Sequence, residues 1–422
     1  MGKCKVAILL LWVFFALCTT ILELKVEARA ASSFLEKEIE AKLKLLNKPA
    51  VKSIKSEDGD IIDCINIYKQ PAFDHPALIN HTIQVGKFYD TPNNLNFLLE
   101  SQSSSTRGAT NASTDVFQTW QKSGSCPKET VPIRRIRKED LLRAVSLNRF
   151  GQKPPEPSVN SATNTKLNFS NLDYDAHLAT LGFNFIGAQA NINVWNPNVE
   201  QPEDFTTAQM WLKANNGENF ASVEAGWMVN PKLYGDHNSR LFAAWTINSY
   251  HTTGCFDLTC QGFVQIASEI ALGSTVGPYS SQFNQQYEIN VGIFWDRNGN
   301  WWLRMKDKII VGYWPAAIVG NLQHSATLVQ WGGQVFSYNV KTTPPHTGTQ
   351  MGSGEAASGR FGFACYMTNV RIKDYSETLK YPQFVSTYAA EPYCYSALND
   401  VQYGKDPVFF FGGPGRRPPY CP

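Results

Sequence analysis

The sequence predicts an all-β fold: an antiparallel sandwich of two packed sheets, preceded by a small mixed α/β segment. Three observations carry this. From about residue 166, short runs place apolar residues at every second position: Val223, Ala225 and Trp227; Leu241, Ala243, Trp245 and Ile247; Ile289, Val291, Ile293 and Trp295; and Phe361, Phe363, Cys365 and Met367, which is the period of half-buried strands. Gly, Pro and Asn fall between the runs, and Asp296-Arg297-Asn298-Gly299-Asn300 reads as a hairpin turn. Aromatics make up 13% of the 422 residues, and nine of the 11 Trp follow residue 165, a composition suited to pleated surfaces. With no helical pattern between the runs, neighbouring strands pair antiparallel.

The elements ahead of this body are read in order. Residues 1–30 have the pattern of a signal peptide: Lys3 and Lys5, an apolar run from Val6 to Leu22, and Ala28-Arg29-Ala30 as the cleavage site. No later run is long and apolar enough for a membrane anchor, so a secreted chain is expected. Residues 33–47 read as a helix, with Leu35, Ile39, Leu43 and Leu46 on one face and Lys48-Pro49 as its stop. Residues 50–90 form a small mixed unit around Cys64, and the Asn-, Ser- and Thr-rich stretch 91–125 an exposed loop. The basic stretch Arg134-Arg135-Ile136-Arg137-Lys138 leads into a helical pattern over Glu139–Leu147. The Pro-rich segment from Lys153 and the Ser/Asn/Thr cluster to Thr165 form a linker. The resulting division is 1–30, 31–165 and 166–422.

Charge excludes one broad class. The chain has 38 basic and 36 acidic residues for a net +2, so nothing points to a nucleic-acid partner held by bulk charge. Residues 31–165 carry 18 basic and 15 acidic residues, and 166–422 carry 16 and 19, which suits a basic pro-segment held on an acidic body. Seven cysteines follow residue 30: Cys64, Cys126, Cys255, Cys260, Cys365, Cys394 and Cys421. In an oxidising compartment they pair with one left over. Three N-x-[ST] sequons, at Asn80, Asn111 and Asn168, agree with secretion and glycosylation.

Chemistry narrows to carboxylates. The sequence holds no H-E-x-x-H, no G-x-S-x-G, no phosphate-binding loop and no Cys-x-x-Cys. Its seven His are scattered, so neither a metal nor a cofactor is expected. Glu224, in Ala221-Ser222-Val223-Glu224-Ala225-Gly226-Trp227, faces away from Val223 and Trp227 by alternation. Such a residue is either solvated or turned into a concave cleft.

Long motifs then carry a resemblance. Ahead of the linker stand Val51-Lys52-Ser53-Ile54, Gln70-Pro71-Ala72-Phe73-Asp74-His75-Pro76 and Thr130-Val131-Pro132-Ile133-Arg134-Arg135. After it come Ile192-Asn193-Val194-Trp195-Asn196-Pro197, Glu224-Ala225-Gly226-Trp227-Met228, Thr253-Gly254-Cys255, Trp331-Gly332-Gly333, Met351-Gly352-Ser353-Gly354 and Phe411-Gly412-Gly413-Pro414-Gly415-Arg416. Over nearly all of the chain after residue 30, this resembles the neprosin family, secreted plant glutamic peptidases made with an activation segment. The resemblance implies a two-sheet sandwich similar to that of the fungal eqolisins. It also implies cleavage of peptide bonds preferentially after proline at acid pH, and a catalytic pair of glutamates. The first maps onto Glu224. The second falls on Gln334, where the family pattern Trp-Gly-Gly-Glu reads Trp331-Gly332-Gly333-Gln334. Disulfides Cys255–Cys260, Cys394–Cys421 and Cys64–Cys126 fit the resemblance, with Cys365 a buried free thiol.

Two carboxyls side by side share a proton, so that one activates water while the other donates. Gln334 keeps the shape and can donate from its amide, but it cannot release a proton. Other carboxylates, Glu269, Glu288 and Glu355, read as surface charge. Two readings follow. One is a secreted zymogen of a glutamic endopeptidase, with Glu224 as base, Gln334 as oxyanion donor, and proline-containing peptides and its own propeptide as partners. The other is a secreted peptide- or wall-glycan-binding protein on the same sandwich. The linker and Arg134-Arg135 are the candidate cleavage regions of the pro-segment.

Overall fold

The computed structural model describes residues 33–84, 117–154, 173–215, 219–340 and 344–422. The expected signal peptide, Asn111, Asn168 and the boundary at 165 lie outside the described residues. Helix α1 spans 33–46, as the spacing of its apolar residues predicts. Strands β1 (Ala50–Lys55), β2 (Ile61–Asn66) and β4 (Thr130–Arg134) form a small sheet in the order β1-β2-β4. Strand β3 (Phe117–Gln118) leaves this unit to pair with the body. The helical pattern at Glu139–Leu147 gives only α2 (Lys138–Arg143), then a 3-10 turn at Leu147–Arg149. The chain breaks at Ala144, whose backbone is extended.

The body contributes β5 (Asp173–Phe185), β6 (Gly187–Asn193), β7 (Phe205–Ala214), β8 (Ala221–Val229), β9 (Arg240–Thr246), β10 (Val264–Gln265), β11 (Val276–Gly277), β12 (Glu288–Trp295), β13 (Trp301–Met305), β14 (Ile309–Trp314), β15 (Ala326–Phe336), β16 (Cys365–Lys373), β17 (Leu379–Lys380), β18 (Ser386–Ala389), β19 (Ser396–Asp400) and β20 (Val408–Gly412). A single helical turn, α3 (Pro231–Tyr234), interrupts them after β8. One sheet runs β18-β5-β15-β7-β8-β9; the other runs β10-β14-β13-β12-β6-β16-β20-β19, with β17 on β16. Every registered pair is antiparallel, including the β12/β13 hairpin over Asp296–Asn300. One strand is shorter than expected: Phe361 is exposed and β16 begins at Cys365, because residues 359–364 form turns around Arg360 at positive φ.

One apolar core fills the space between the sheets. Leu178, Met210, Leu212, Val223, Trp227 and Trp331 from the six-stranded sheet meet Ile192, Val291, Ile293, Leu303, Met367 and Phe411 from the other. This face takes the apolar half of each alternating run, so the polar half of β5, β7, β8 and β15 is presented on the opposite face. There a second cluster joins Phe205, Met228, Phe242 and Phe336 to Ile39, Ile136, Leu141 and Phe150 of the leading segment. That face is therefore covered, not solvated.

Candidate active site

Glu224 sits on β8 with no exposed surface. Its carboxylate is held on both oxygens. Ser222 Oγ and the Tyr250 hydroxyl each donate to Oε1 at 2.8 Å. Gln209 Nε2 donates to Oε2 at 2.8 Å, and Lys153 Nζ does so at 3.2 Å. Burial alone would raise this carboxyl's pKa, but the Lys153 and Lys213 ammonium groups and the two hydroxyls outweigh it and hold it below the ordinary glutamate value.

Each donor has a local reason for its position. Ser222 is two residues before Glu224 on one strand, hence on the same face. Gln209 lies on β7, opposite Gly226. A Cβ on Gly226 would come within 2.8 Å of the Gln209 Cβ, so glycine there leaves Gln209 room to lie diagonally toward Glu224. Tyr250 comes from the loop after β9, where Ser249 and Tyr250 both adopt positive φ, 54° and 63°, a costly conformation for a bulky residue that the surroundings must enforce. Phe220 N–H donates to Ser249 Oγ at 2.9 Å and Tyr250 N–H to Thr246 Oγ1 at 2.9 Å, which fixes the turn.

Lys153 arrives from the leading segment, which packs across this face. The Phe256 amide donates to the Gly151 carbonyl at 2.8 Å. The Lys153 ammonium lies 4.9 Å from the centre of the Tyr250 ring, and its side chain is 1% exposed. The rest of the segment is anchored by polar chains. Asp60 bridges Arg134 at 3.1 Å and Arg240 of β9 at 2.5 Å. Both guanidinium groups lie against the Tyr234 ring. Gln70 exchanges two hydrogen bonds with the Gln265 backbone, at 2.8 and 2.9 Å, and β3 pairs with β11. Arg134 is thereby buried within β4, while Arg135 beside it is partly exposed; the linker candidate, from residue 155 on, lies outside the described residues.

Gln334 stands on β15, on the same face as Glu224 but two strands away. Its cross-strand partners are Thr207 and Asp175, whereas Glu224 pairs with Trp211. Among the described residues no hydrogen bond joins Gln334 to Glu224, and Gln334 Oε1 is buried without a partner. Gln209 lies diagonal to both, since Gly332 and Gly226 are its direct neighbours. Its Oε1 is also buried without a partner. The other acidic candidates stay away from the site: Glu269 and Glu355 are exposed, and Glu288 is in the nine-stranded sheet opposite Asn193.

Asp175 and His177 of β5 went unremarked in the sequence. They share the face of Gln334, with His177 Nδ1 2.7 Å from Asp175 Oδ2 and His177 Nε2 2.9 Å from Gln330 Nε2. Burial would raise the Asp175 carboxyl's pKa, but the His177 contact and the Lys213 charge bring it below the ordinary aspartate value.

The three disulfides are Cys64–Cys126, Cys255–Cys260 and Cys394–Cys421, and Cys365 is free and buried. Asn80, the described sequon, is exposed. No described helix is long and apolar enough to cross a membrane.

The family model described as neprosin matches residues 202–414, and the neprosin activation peptide model matches 53–179. Among solved structures the chain is similar to scytalido-glutamic peptidase with a peptide-based transition state analog, at 11% identity and TM-score 0.30 over 56% of this chain and 96% of that one. It is similar also to SCP-B of the eqolisin family in complex with the tripeptide Ala-Ile-His, at 8% identity and TM-score 0.30 over 56% and 96%.

Proposed function

The chain belongs to the neprosin family, and on that premise we propose that it is the latent form of a glutamic endopeptidase, silenced by Lys153 of its own activation segment. The buried Lys153–Glu224 pair carries the reading. A carboxylate with four donors on a covered face is costly to build unless its charge is used. The covering segment places a cation on the group that would otherwise meet substrate.

Acid releases the latch. The Lys153 contact lowers the Glu224 pKa, so by linkage the strap binds best when Glu224 is ionised and weakens as pH falls through the strap-free value. With Lys153 gone, Glu224 loses one of the charges that lower its pKa and holds a proton more readily. It can then exchange protons with the attacking water and the leaving amine. Gln334 Nε2 donates to the oxyanion, a role worth about 3 kcal/mol where such donors have been removed. The family supports a preference for the bond after proline at acid pH. The leader, the sequons and the disulfides support a secreted, glycosylated protein.

The experiment is to incubate the purified protein at acid pH with proline-containing peptides beside Glu224→Gln. Cleavage lost in the variant supports the assignment. Cleavage that survives in it removes Glu224 from the mechanism. Peptide or glycan binding without turnover, in wild type and Gln334→Glu alike, would favour the binding-protein reading that Gln334 motivates.

A further inference from the structure

A Glu–Gln pair leaves one titrating group to do two jobs. Peptide hydrolysis on the acid side needs a group to take a proton from water and another to give one to the leaving nitrogen. Gln334 can do neither. The strand beside it offers a group that can.

We infer that Asp175 is a catalytic residue, the second carboxylate of the site, in place of the carboxyl that Gln334 lacks. This rests on the peptidase reading and divides the proton work that it left to Glu224 alone. Asp175 on β5 is registered directly opposite Gln334 on β15, and directly paired residues point to the same face with Cβ atoms about 4.5–5.5 Å apart. Its carboxylate thus stands one strand away from where a glutamate at 334 would place its own. Its side chain is 33% exposed, whereas Glu224 is fully buried.

The carboxylate also has a close neighbour. His177 Nδ1 lies 2.7 Å from it. His177 is fixed in turn by Gln330 at 2.9 Å and by the Tyr388 ring at 5.3 Å between centroids. Gln330 is registered opposite Trp211, and Trp211 opposite Glu224, so the line Asp175–His177–Gln330 ends in the row that holds Glu224. The Lys213 ammonium favours the ionised form of both Asp175 and Glu224, which share one face of the six-stranded sheet.

The step balances. Asp175 removes one proton from water, and the water oxygen bonds to the scissile carbonyl carbon. The carbonyl π pair moves to its oxygen, which accepts a hydrogen bond from Gln334 Nε2. The C–N bond then breaks as the oxyanion reforms the carbonyl. Glu224 gives its proton to the leaving nitrogen. Solvent removes the proton from Asp175 and returns one to Glu224, leaving a free carboxyl and a free amine.

The test is a double-mutant cycle on the acid-activated protein with a proline-containing peptide. Asp175→Asn is expected to lower kcat by about 100-fold or more in the wild-type background, the scale of general acid–base catalysis. In the Gln334→Glu background, where position 334 again carries a carboxyl, the loss should be less than about five-fold by the same scale. Asp175→Glu should retain at least about a tenth of wild-type kcat, which separates loss of chemistry from loss of fold. Equal losses in both backgrounds would show the Asp175–His177 pair to be structural and overturn the inference. An unaffected Asp175→Asn, in a protein that Glu224→Gln inactivates, overturns it while the peptidase reading stands. If wild type is inactive and Gln334→Glu is active, Asp175 has failed as a stand-in. If neither cleaves, the peptidase reading falls and the inference with it.

Discussion

On the β8 side of the site Glu224 has a donor for each lone pair it can readily offer, no exposed surface, and a lysine pressed against it. On the β15 side, among the described residues, Gln334 has a buried Oε1 with no donor, and beside it stands a partly exposed Asp175 whose carboxylate lies against His177. Both lie on one face of one sheet. The difference separates, among the described residues, a half paired with the activation segment from a half that is not paired with it. The Gln209 and Gln334 oxygens, with Thr207 Oγ1 opposite Gln334, are on β7 and β15 rather than on β8.

The most severe way to break this comparison is to empty the paired half. Glu224→Gln should lower peptide cleavage by the activated protein about 10³-fold or more, given the scale on which acid–base and oxyanion groups act. It should leave the latent form folded, because the amide can still accept at Oε1. The check is kcat/KM on a proline-containing peptide, with the melting curve of the latent form as control. An inactive protein with an unaltered melting curve sharpens the contrast; a fully active one erases it.

A smaller effect is expected from the residue shared by both halves. Gln209→Leu removes the donor at 2.8 Å from Glu224 and the unpartnered oxygen together. A drop of about 10- to 100-fold in kcat with a lesser change in KM is expected for a positioning group. A change confined to KM would place Gln209 in substrate binding alone.

Gln209 also marks the limit of what the sequence shows. Alternation was enough to place Glu224 away from Val223 and Trp227, and the same alternation in β7 sets Thr207, Gln209, Trp211 and Lys213 against Ala208, Met210 and Leu212. That signal was present and could have found Gln209. Asp175 could not be found in this way. Its partnership with Gln334 depends on the register of β5 on β15, strands far apart in sequence, and no local pattern sets a long-range register. Tyr250 depends on a strained loop whose residues read as an ordinary polar turn. The covering of the face was hidden for another reason. Ile39, Leu141 and Phe150 look like the core of a separate unit, and only the tertiary fold shows that their core is shared with Phe205 and Phe336.

The latch offers a milder perturbation. Lys153→Met removes the ammonium beside Glu224 while keeping most of the side-chain volume. Glu224 then loses one of the charges that lower its pKa, which rises. The Lys153 contact is what couples release to the ionisation of Glu224, so its loss should weaken the segment's hold at neutral pH and flatten the pH dependence of release. Activity after incubation across a pH series measures it. An unaltered profile would show that the latch lies elsewhere, with the Asp60–Arg240 bridge the next group to mutate.

The smallest effect concerns Asp257, a buried carboxyl under the docked segment that takes no part in the site. Burial pushes its pKa up to about 7, against the Tyr234 hydroxyl at 2.7 Å, the Ala243 amide at 3.2 Å and the charges of Arg134 and Arg240. The folded value exceeds the unfolded one, so the folded state binds more protons between the two. Its contribution is fully present below the unfolded value, near 3.9, and is lost as pH rises through about 7. This runs opposite to Glu224, whose lowered pKa favours the latched state at higher pH and loses that advantage in acid. Acid therefore loosens the strap while it steadies the sheet beneath it. Asp257→Asn should flatten the fall in melting temperature between about pH 4 and 7 by a few degrees, since one carboxyl is spread over a large unfolding entropy. Melting curves of both proteins across that range decide it. If the variant keeps the wild-type slope, Asp257 is ionised in the folded protein and the two carboxylates do not work in opposition.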